Sequence, residues 1–425
     1  MASATTSSDV RGAAKDTTTR RKVAKEESSS GWSTKSIEEP YGVLICVRCH
    51  DFRQRDLQLG LGLYFLIPCH LLIAYLIESV AASQAIGLKR QGKGRKDGPS
   101  AEEAAKFRKT WITVAWLHSI NVVSILAYTS WVVYYHIHHP LIGTATELHA
   151  IIVLLKTYSY ALTNRDLRHA YLHPRADGLA SIPELYAQCP YPNNITMSNL
   201  VYFWWAPTLV YQPVYPRTDR IRWVFVAKRV GEAFGLGVFI WFTSAQYATP
   251  LLLNSLVKIH TLEYTAILER LLKLSTVSLV IWLAGFFAFF QSTLNALAEI
   301  TRFGDRSFYD DWWNSENLGA YWRTWNKPVM MVFFLSAVLH EILVGIPTHN
   351  IIGVAFLGMF LQLPLIALTT PLGKSKTATS KLIGNSIFWI SFTIFGQPFA
   401  ALMYFYAWQA KYGSVSRQAI PAASS

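Results

Sequence analysis

Residues 332–346 read VFFLSAVLHEILVGI, an apolar run with a histidine and a glutamate, His340 and Glu341, near its middle. Apart from Ser336, no other side chain in the run seeks water. A charged side chain at bilayer depth costs about 2.5–3.5 kcal/mol on insertion scales, so it usually faces a protein interior or a water-filled cavity and carries a function. Histidine is also the residue type whose charge change falls near neutral pH, which suits it to act as a general base. Ser336 lies one turn earlier on the same helical face, within reach of the imidazole or of a substrate. The competing reading is a structural histidine that only hydrogen-bonds across helices.

The rest of the chain places that run in a membrane. Of 425 residues, 52% are hydrophobic, 14% aromatic and 15% charged, with a mean hydropathy of +0.23. A soluble domain averages about 25% charged residues. Apolar runs near 59–81, 110–135, 140–162, 232–253, 274–297, 329–348, 350–371 and 384–408 approach or exceed the roughly 18–20 residues that cross a bilayer as a helix. An all-α polytopic membrane protein with about eight spans is expected. Residues 1–58 read as a tail and a poorly matching entry segment, 59–408 as the membrane domain and 409–425 as a short C-terminal tail. Residues 1–40 are rich in Ser, Thr, Lys and Glu without an apolar core, so a disordered tail is expected and no cleavable signal peptide.

The net charge of +13 raises nucleic acid until its location is checked. Lys and Arg cluster at 83–109, 163–229, 302–327 and 374–381, whereas 136–139 and 349–350 have none. Alternation of this kind is the positive-inside pattern, which puts the basic connections in the cytosol and excludes a nucleic-acid partner as the reason for the charge. It also puts the sequon Asn194-Ile195-Thr196 in a cytosolic connection, where it stays unused. Cys46-Val-Arg-Cys49-His50 lacks a second ligand pair, and His136, His138 and His139 lack a completing ligand, so no metal is expected from either.

Two cytosolic connections, 163–230 and 298–328, are long. The first holds LVYFWWAPTLVYQPVYPRTDRIRW (200–223), aromatic and broken by prolines, which reads as an interfacial segment. Ahead of the second, Gln291, Asn295 and Glu299 recur on one helical face, either as inter-helix hydrogen bonds or as the polar wall of a cavity. Gln362 and Gln397 lie in later apolar spans and are expected to be buried at membrane depth with His340. Three helices then offer a base and two amides, which fits an enzyme that orients a hydroxyl and an acyl group.

FGDRSFYDDWWN (303–314), then WNKPV (325–329), then a His-Glu pair inside an apolar helix, resembles the membrane-bound O-acyltransferase superfamily. The pattern resembles most the branch of acyl-CoA:diacylglycerol and acyl-CoA:sterol acyltransferases. Within it, YPNNITMSNLVYFWWAPTLVYQPVYPRT (191–218), RLLKLSTVSLVIWL (270–283) and LKTYSYALTNRDLR (155–168) are similar to the diacylglycerol acyltransferase type-one group. The resemblance implies a multi-helix fold with an internal catalytic cavity, in the endoplasmic reticulum membrane. It implies acyl transfer from acyl-CoA to diacylglycerol, no cofactor, and a homo-oligomer. By the same resemblance His340 is the general base, with Glu341, Gln362 and Gln397 supporting and orienting the reacting groups. Trp325, Asn326 and Ser336 match positions that contact acyl-CoA. Phe308, Tyr309, Asp311, Trp312, Trp313 and Asn314 would shape the wall around the CoA entrance.

The chain departs from the family at two places. In the family, the stretch after WN-x-PV continues through a basic, aromatic segment that helps to hold the CoA phosphates, whereas here WNKPV runs into MMVFFLSAVLHE (330–341). The family's first helix precedes the one at 59–81, but residues 41–58 are too short and polar to span. Besides triacylglycerol synthesis, two further readings stay open: a sterol or wax-alcohol acyltransferase, and a shortened, inactive relative. A transporter has less support, because no internal repeat is evident.

Overall fold

The computed structural model describes residues 54–92, 101–172, 184–309, 318–325, 330–375 and 377–410. Among these, every regular element is a helix. In lipid no water bonds the backbone, and a helix satisfies its N–H and C=O groups within one segment.

Helices α1 (Gln54–Leu66) and α2 (Cys69–Gly92) make one crossing, interrupted where Pro68 removes a backbone donor. Helices α3 (Ala101–His136) and α4 (Pro140–Leu172) follow, joined by a short turn. After the short α5 (Met197–Trp205), α6 (Trp223–Thr243) continues through a π turn into α7 (Thr249–His260). Helix α8 (Tyr264–Phe286) passes likewise through a π turn, Phe287–Thr293, into α9 (Leu294–Ile300). Then come α10 (Leu318–Trp325), α11 (Met330–Gly345), α12 (Val354–Phe360) and α13 (Gln362–Lys374). Helix α14 (Ala378–Ile390) and a third π turn lead to α15 (Gln397–Trp408).

Among the described residues, 7 helical stretches are long and apolar enough to cross a membrane, and Phe333–Gly345 is a shorter apolar helix. The eight expected runs thus become seven long rods and one short one. The short one carries His340. Even the whole of α11, 16 residues, reaches only about 24 Å at 1.5 Å per residue, against a hydrocarbon core of about 30 Å. The chain turns back after Gly345, with His349 in the left-handed region at φ 54°.

Connections expected to share a side touch one another. Lys89 Nζ donates to Tyr171 O at 3.2 Å. Thr218 N–H donates to Arg302 O at 3.0 Å, beside a bridge between Arg217 and Phe303. At the other end of α4, the His349 ring bonds Ile137 O at 3.0 Å. The histidine turn is therefore a junction. Its His138 and His139 backbone N–H groups both donate to Asp56 Oδ2 at 3.0 Å.

Part of the aromatic segment 191–218 is built into the bundle. Leu200, Phe203, Tyr211 and Tyr215 are buried against Leu71 and Tyr160, while Met197, Val201 and Trp205 stay exposed. Lys156 fixes it from below. Its Nζ donates to the carbonyls of Phe203, Trp204 and Ala206 at 2.8, 3.2 and 2.9 Å. Those are carbonyls that the end of α5 leaves without helical partners. At the other end of α5, Thr196 Oγ1 accepts Asn199 N–H, a helix cap. Asn194 is 1% exposed, and its Nδ2 donates to Asn164 Oδ1 at 2.7 Å and Tyr211 Oη at 3.1 Å. In the folded chain the Asn194 amide is thus spent inside the bundle.

Buried charge is paired in the same economical way. Glu78, fully buried, receives Arg168 Nη1 at 2.5 Å and faces His118 Nε2 at 2.9 Å. Arg168 also stacks over Trp111, 4.5 Å from the ring centroid.

Glu78→Ala leaves the Arg168 side chain, 6% exposed, without its carboxylate. A loss of about 3–5 kcal/mol is expected, read as a lowered Tm in detergent, with Glu78→Gln milder. Expression in glycosylation-competent microsomes should give a band whose mobility endoglycosidase leaves unchanged.

Candidate active site

The site is built on α11. His340 Nδ1 bonds Ser336 O at 2.7 Å, and Ser336 Oγ lies 3.4 Å from the same nitrogen. A carbonyl only accepts, so Nδ1 carries the proton in the neutral ring and Nε2 carries the lone pair. Among the described residues, no hydrogen bond reaches Nε2. Ser336 is thus the partner that the spacing suggested, through its carbonyl more closely than its hydroxyl.

Glu341 points elsewhere. Its Oε1 accepts Gly353 N–H at 2.9 Å, and its Oε2 accepts Phe356 N–H at 3.1 Å and Tyr404 O–H at 2.7 Å. The carboxylate therefore caps the start of α12 and receives α15, beside a Gly353 held at φ 75°. Anions suit a helix start, where backbone N–H groups lack helical acceptors.

Gln362 opens α13 directly behind α12, and its Nε2 donates to Gly358 O at 3.0 Å. Gln397 opens α15 directly after the third π turn. Glu341 thus links α11, which carries His340, to α15, which carries Gln397, while Gln362 bonds α12. The expectation that all three side chains are buried needs correcting. His340 and Gln397 are exposed and Gln362 is half-buried, because position in an apolar run fixes depth but not which way a side chain faces.

The segment before the acidic aromatic motif is zipped onto the first connection. Gly304 N–H donates to Pro216 O at 2.8 Å, and a Cβ at residue 304 would lie 2.9 Å from that oxygen, so only glycine fits. Arg306 Nη1 and Arg222 both bond Glu299, which is fully buried. Tyr309 O–H donates to Gln291 Oε1 at 2.6 Å, with its ring edge-on to Phe286 at 4.9 Å. Burial pushes the Tyr309 phenol up, and Arg229 nearby opposes that. Phe308 packs instead against the Tyr160–Phe203–Tyr211 cluster. Adjacent motif residues thus grip two different parts of the bundle. Gln291 and Glu299 act as inter-segment partners, while Asn295 Nδ2 donates to Gln291 O within its own helix.

Trp325 closes α10. Asp311, Trp312, Trp313, Asn314 and Asn326, with Cys46, Cys49 and His50, lie outside the described residues. Sequence reading missed Tyr404, Glu78 and Lys156. The two charged residues stood out as lone charges in apolar runs, but Tyr404 gave no such signal in YAW-rich surroundings. Among the described residues, no group of three or more His, Cys, Asp or Glu side chains is placed to hold a metal ion.

The membrane-bound O-acyltransferase family model matches residues 116–330. Diacylglycerol O-acyltransferase 1 of Dictyostelium discoideum is 33% identical over 388 residues, covering 86% of this chain and 58% of the relative. Diacylglycerol O-acyltransferase 1A of Glycine max is 37% identical over 289 residues, covering 62% and 56%. Diacylglycerol O-acyltransferase 1 of Arabidopsis thaliana is 36% identical over 328 residues, covering 71% and 60%. The chain therefore spans less than two thirds of the length of these relatives. With a family match over half its length, a helical membrane bundle and a histidine-glutamate pair in a short apolar helix, the chain belongs to the membrane-bound O-acyltransferase family.

Proposed function

We propose that this chain transfers an acyl group from acyl-CoA to the free hydroxyl of diacylglycerol, forming triacylglycerol, with His340 as general base. The observation that carries this reading is the tether of His340 Nδ1 to Ser336 O, which leaves Nε2 as the basic nitrogen. The names of the relatives supply the substrate class. Nε2 takes the hydroxyl proton as the glycerol oxygen attacks the thioester carbonyl. The new C–O bond forms, the C–S bond breaks, and the imidazolium returns its proton to the CoA sulfur. A thioester is activated enough that one base and donors to the developing oxyanion suffice. Gln362 and Gln397 are the amides of α13 and α15, and Gln397 is an exposed residue.

Trp325, Asn326 and Ser336 line the approach of acyl-CoA in this reading. Phe308, Tyr309, Asp311, Trp312, Trp313 and Asn314 form the wall of its entrance. Acyl-CoA arrives from the cytosol and diacylglycerol from the bilayer of the endoplasmic reticulum, and the chain works as a homo-oligomer.

The test is triacylglycerol synthesis from labelled oleoyl-CoA and diacylglycerol, in membranes that lack their own enzyme. Label from this chain should fall by at least about 10²-fold in His340→Ala, the lower end of what a general base contributes. No label from either chain, with both well inserted, points to the inactive reading. Label that appears only when a sterol or a long-chain alcohol replaces diacylglycerol points to the other acceptor class.

A further inference from the structure

One carboxylate joins α11, which carries His340, to the start of α12 and to α15, which carries Gln397. Glu341 follows His340 in α11, and its donors come from the start of α12, at Gly353 and Phe356, and from Tyr404 of α15. Tyr404 is 3% exposed, and its oxygen also accepts Ala355 N–H at 3.2 Å. Its hydroxyl gives one bond to α11 and takes one from α12. Tyr404 lies about two helical turns after Gln397, so both project from similar faces of α15. Gln362 follows α12 with only Leu361 between them.

The arrangement distinguishes holding from touching. Three of the roughly four acceptor sites of the Glu341 carboxylate are committed to Gly353, Phe356 and Tyr404. Its neighbour His340 is the exposed member of the pair. We infer that Tyr404 is a positioning residue: by donating to Glu341, the neighbour of His340, it locks α15, which carries Gln397, to α11. The inference rests on the reading of His340 as the base. Tyr404 touches no reacting atom and acts through the carboxylate.

A bond that only stabilised the bundle would lower the amount of folded chain and leave turnover per folded chain intact. A positioning bond changes turnover. The experiment measures kcat and acyl-CoA KM per inserted chain for the wild type, His340→Ala, Tyr404→Phe, Glu341→Gln and the Tyr404→Phe/Glu341→Gln double variant. Tyr404→Phe keeps the ring and loses only the hydroxyl. Its kcat should fall about tenfold, the scale of one hydrogen bond to a charged group, with the acyl-CoA KM unchanged. The double variant should be no slower than Glu341→Gln alone, because both changes break the same bond.

Should Tyr404→Phe insert poorly, Gly353→Ala disturbs the same carboxylate from α12. A Cβ there meets nothing within 4 Å, but φ of 75° strains any residue other than glycine. Lowered kcat at unchanged KM supports the inference in that variant too. Wild-type kcat in the inserted variants, beside an inactive His340→Ala, overturns it while leaving the base reading intact. Fully additive losses in the double variant overturn it as well. An inactive wild type, or a His340→Ala of full activity, overturns the base reading and this inference with it.

Discussion

Inside an apolar bundle, a carboxylate persists only where donors surround it, because no bulk water is available to replace them. Glu341 meets that condition with two backbone N–H groups and a phenol, drawn from two other helices. The chain must therefore turn sharply after α11 to bring Gly353 back beneath it. Gly345 permits this, since a Cβ there would lie 3.1 Å from both Asn350 O and Glu341 Oε1. The helix that carries His340 is short as a result, and its register is fixed one residue away from the imidazole.

Three other buried carboxylates follow the same rule. Asp56 holds the turn between α3 and α4, Glu78 holds α4 to α2 and α3, and Glu299 holds the start of α6 to the segment after α9. Lys156 is the cationic counterpart, spent on carbonyls at the end of α5. Each of these groups bridges elements distant in sequence, so apolar packing fills the space between points that polar bonds have already registered. The hydrophobic effect offers little such registration between helices, because lipid tails are as apolar as leucine.

The segment 303–309 shows how a recognition motif can also be a joint. Gly304 closes onto Pro216, Arg306 shares Glu299 with Arg222, and Phe308 and Tyr309 enter separate aromatic clusters. A segment held this way is bonded to two separate parts of the bundle, which suits the entrance wall proposed for acyl-CoA.

Much of this was legible in the sequence. Apolar runs at spanning length fixed the fold class, since helices are what a lone polypeptide segment can form in lipid, and alternating charge grouped the connections that the structure brings into contact. The rarity of polar groups in those runs singled out His340, Glu341, Gln362 and Gln397, and helical spacing matched Ser336 to His340. The tertiary structure alone decided which way these side chains face and which of them are spent on holding the fold. Glu341 turned inward to cap α12, His340 and Gln397 stayed exposed, and Tyr404 emerged from an unremarkable apolar stretch as a partner of Glu341. The physical reason is that hydropathy and spacing depend on neighbours within a few turns. A hydrogen bond from α15 to α11 depends on where a turn, a glycine at positive φ and a third helix bring donor and acceptor together.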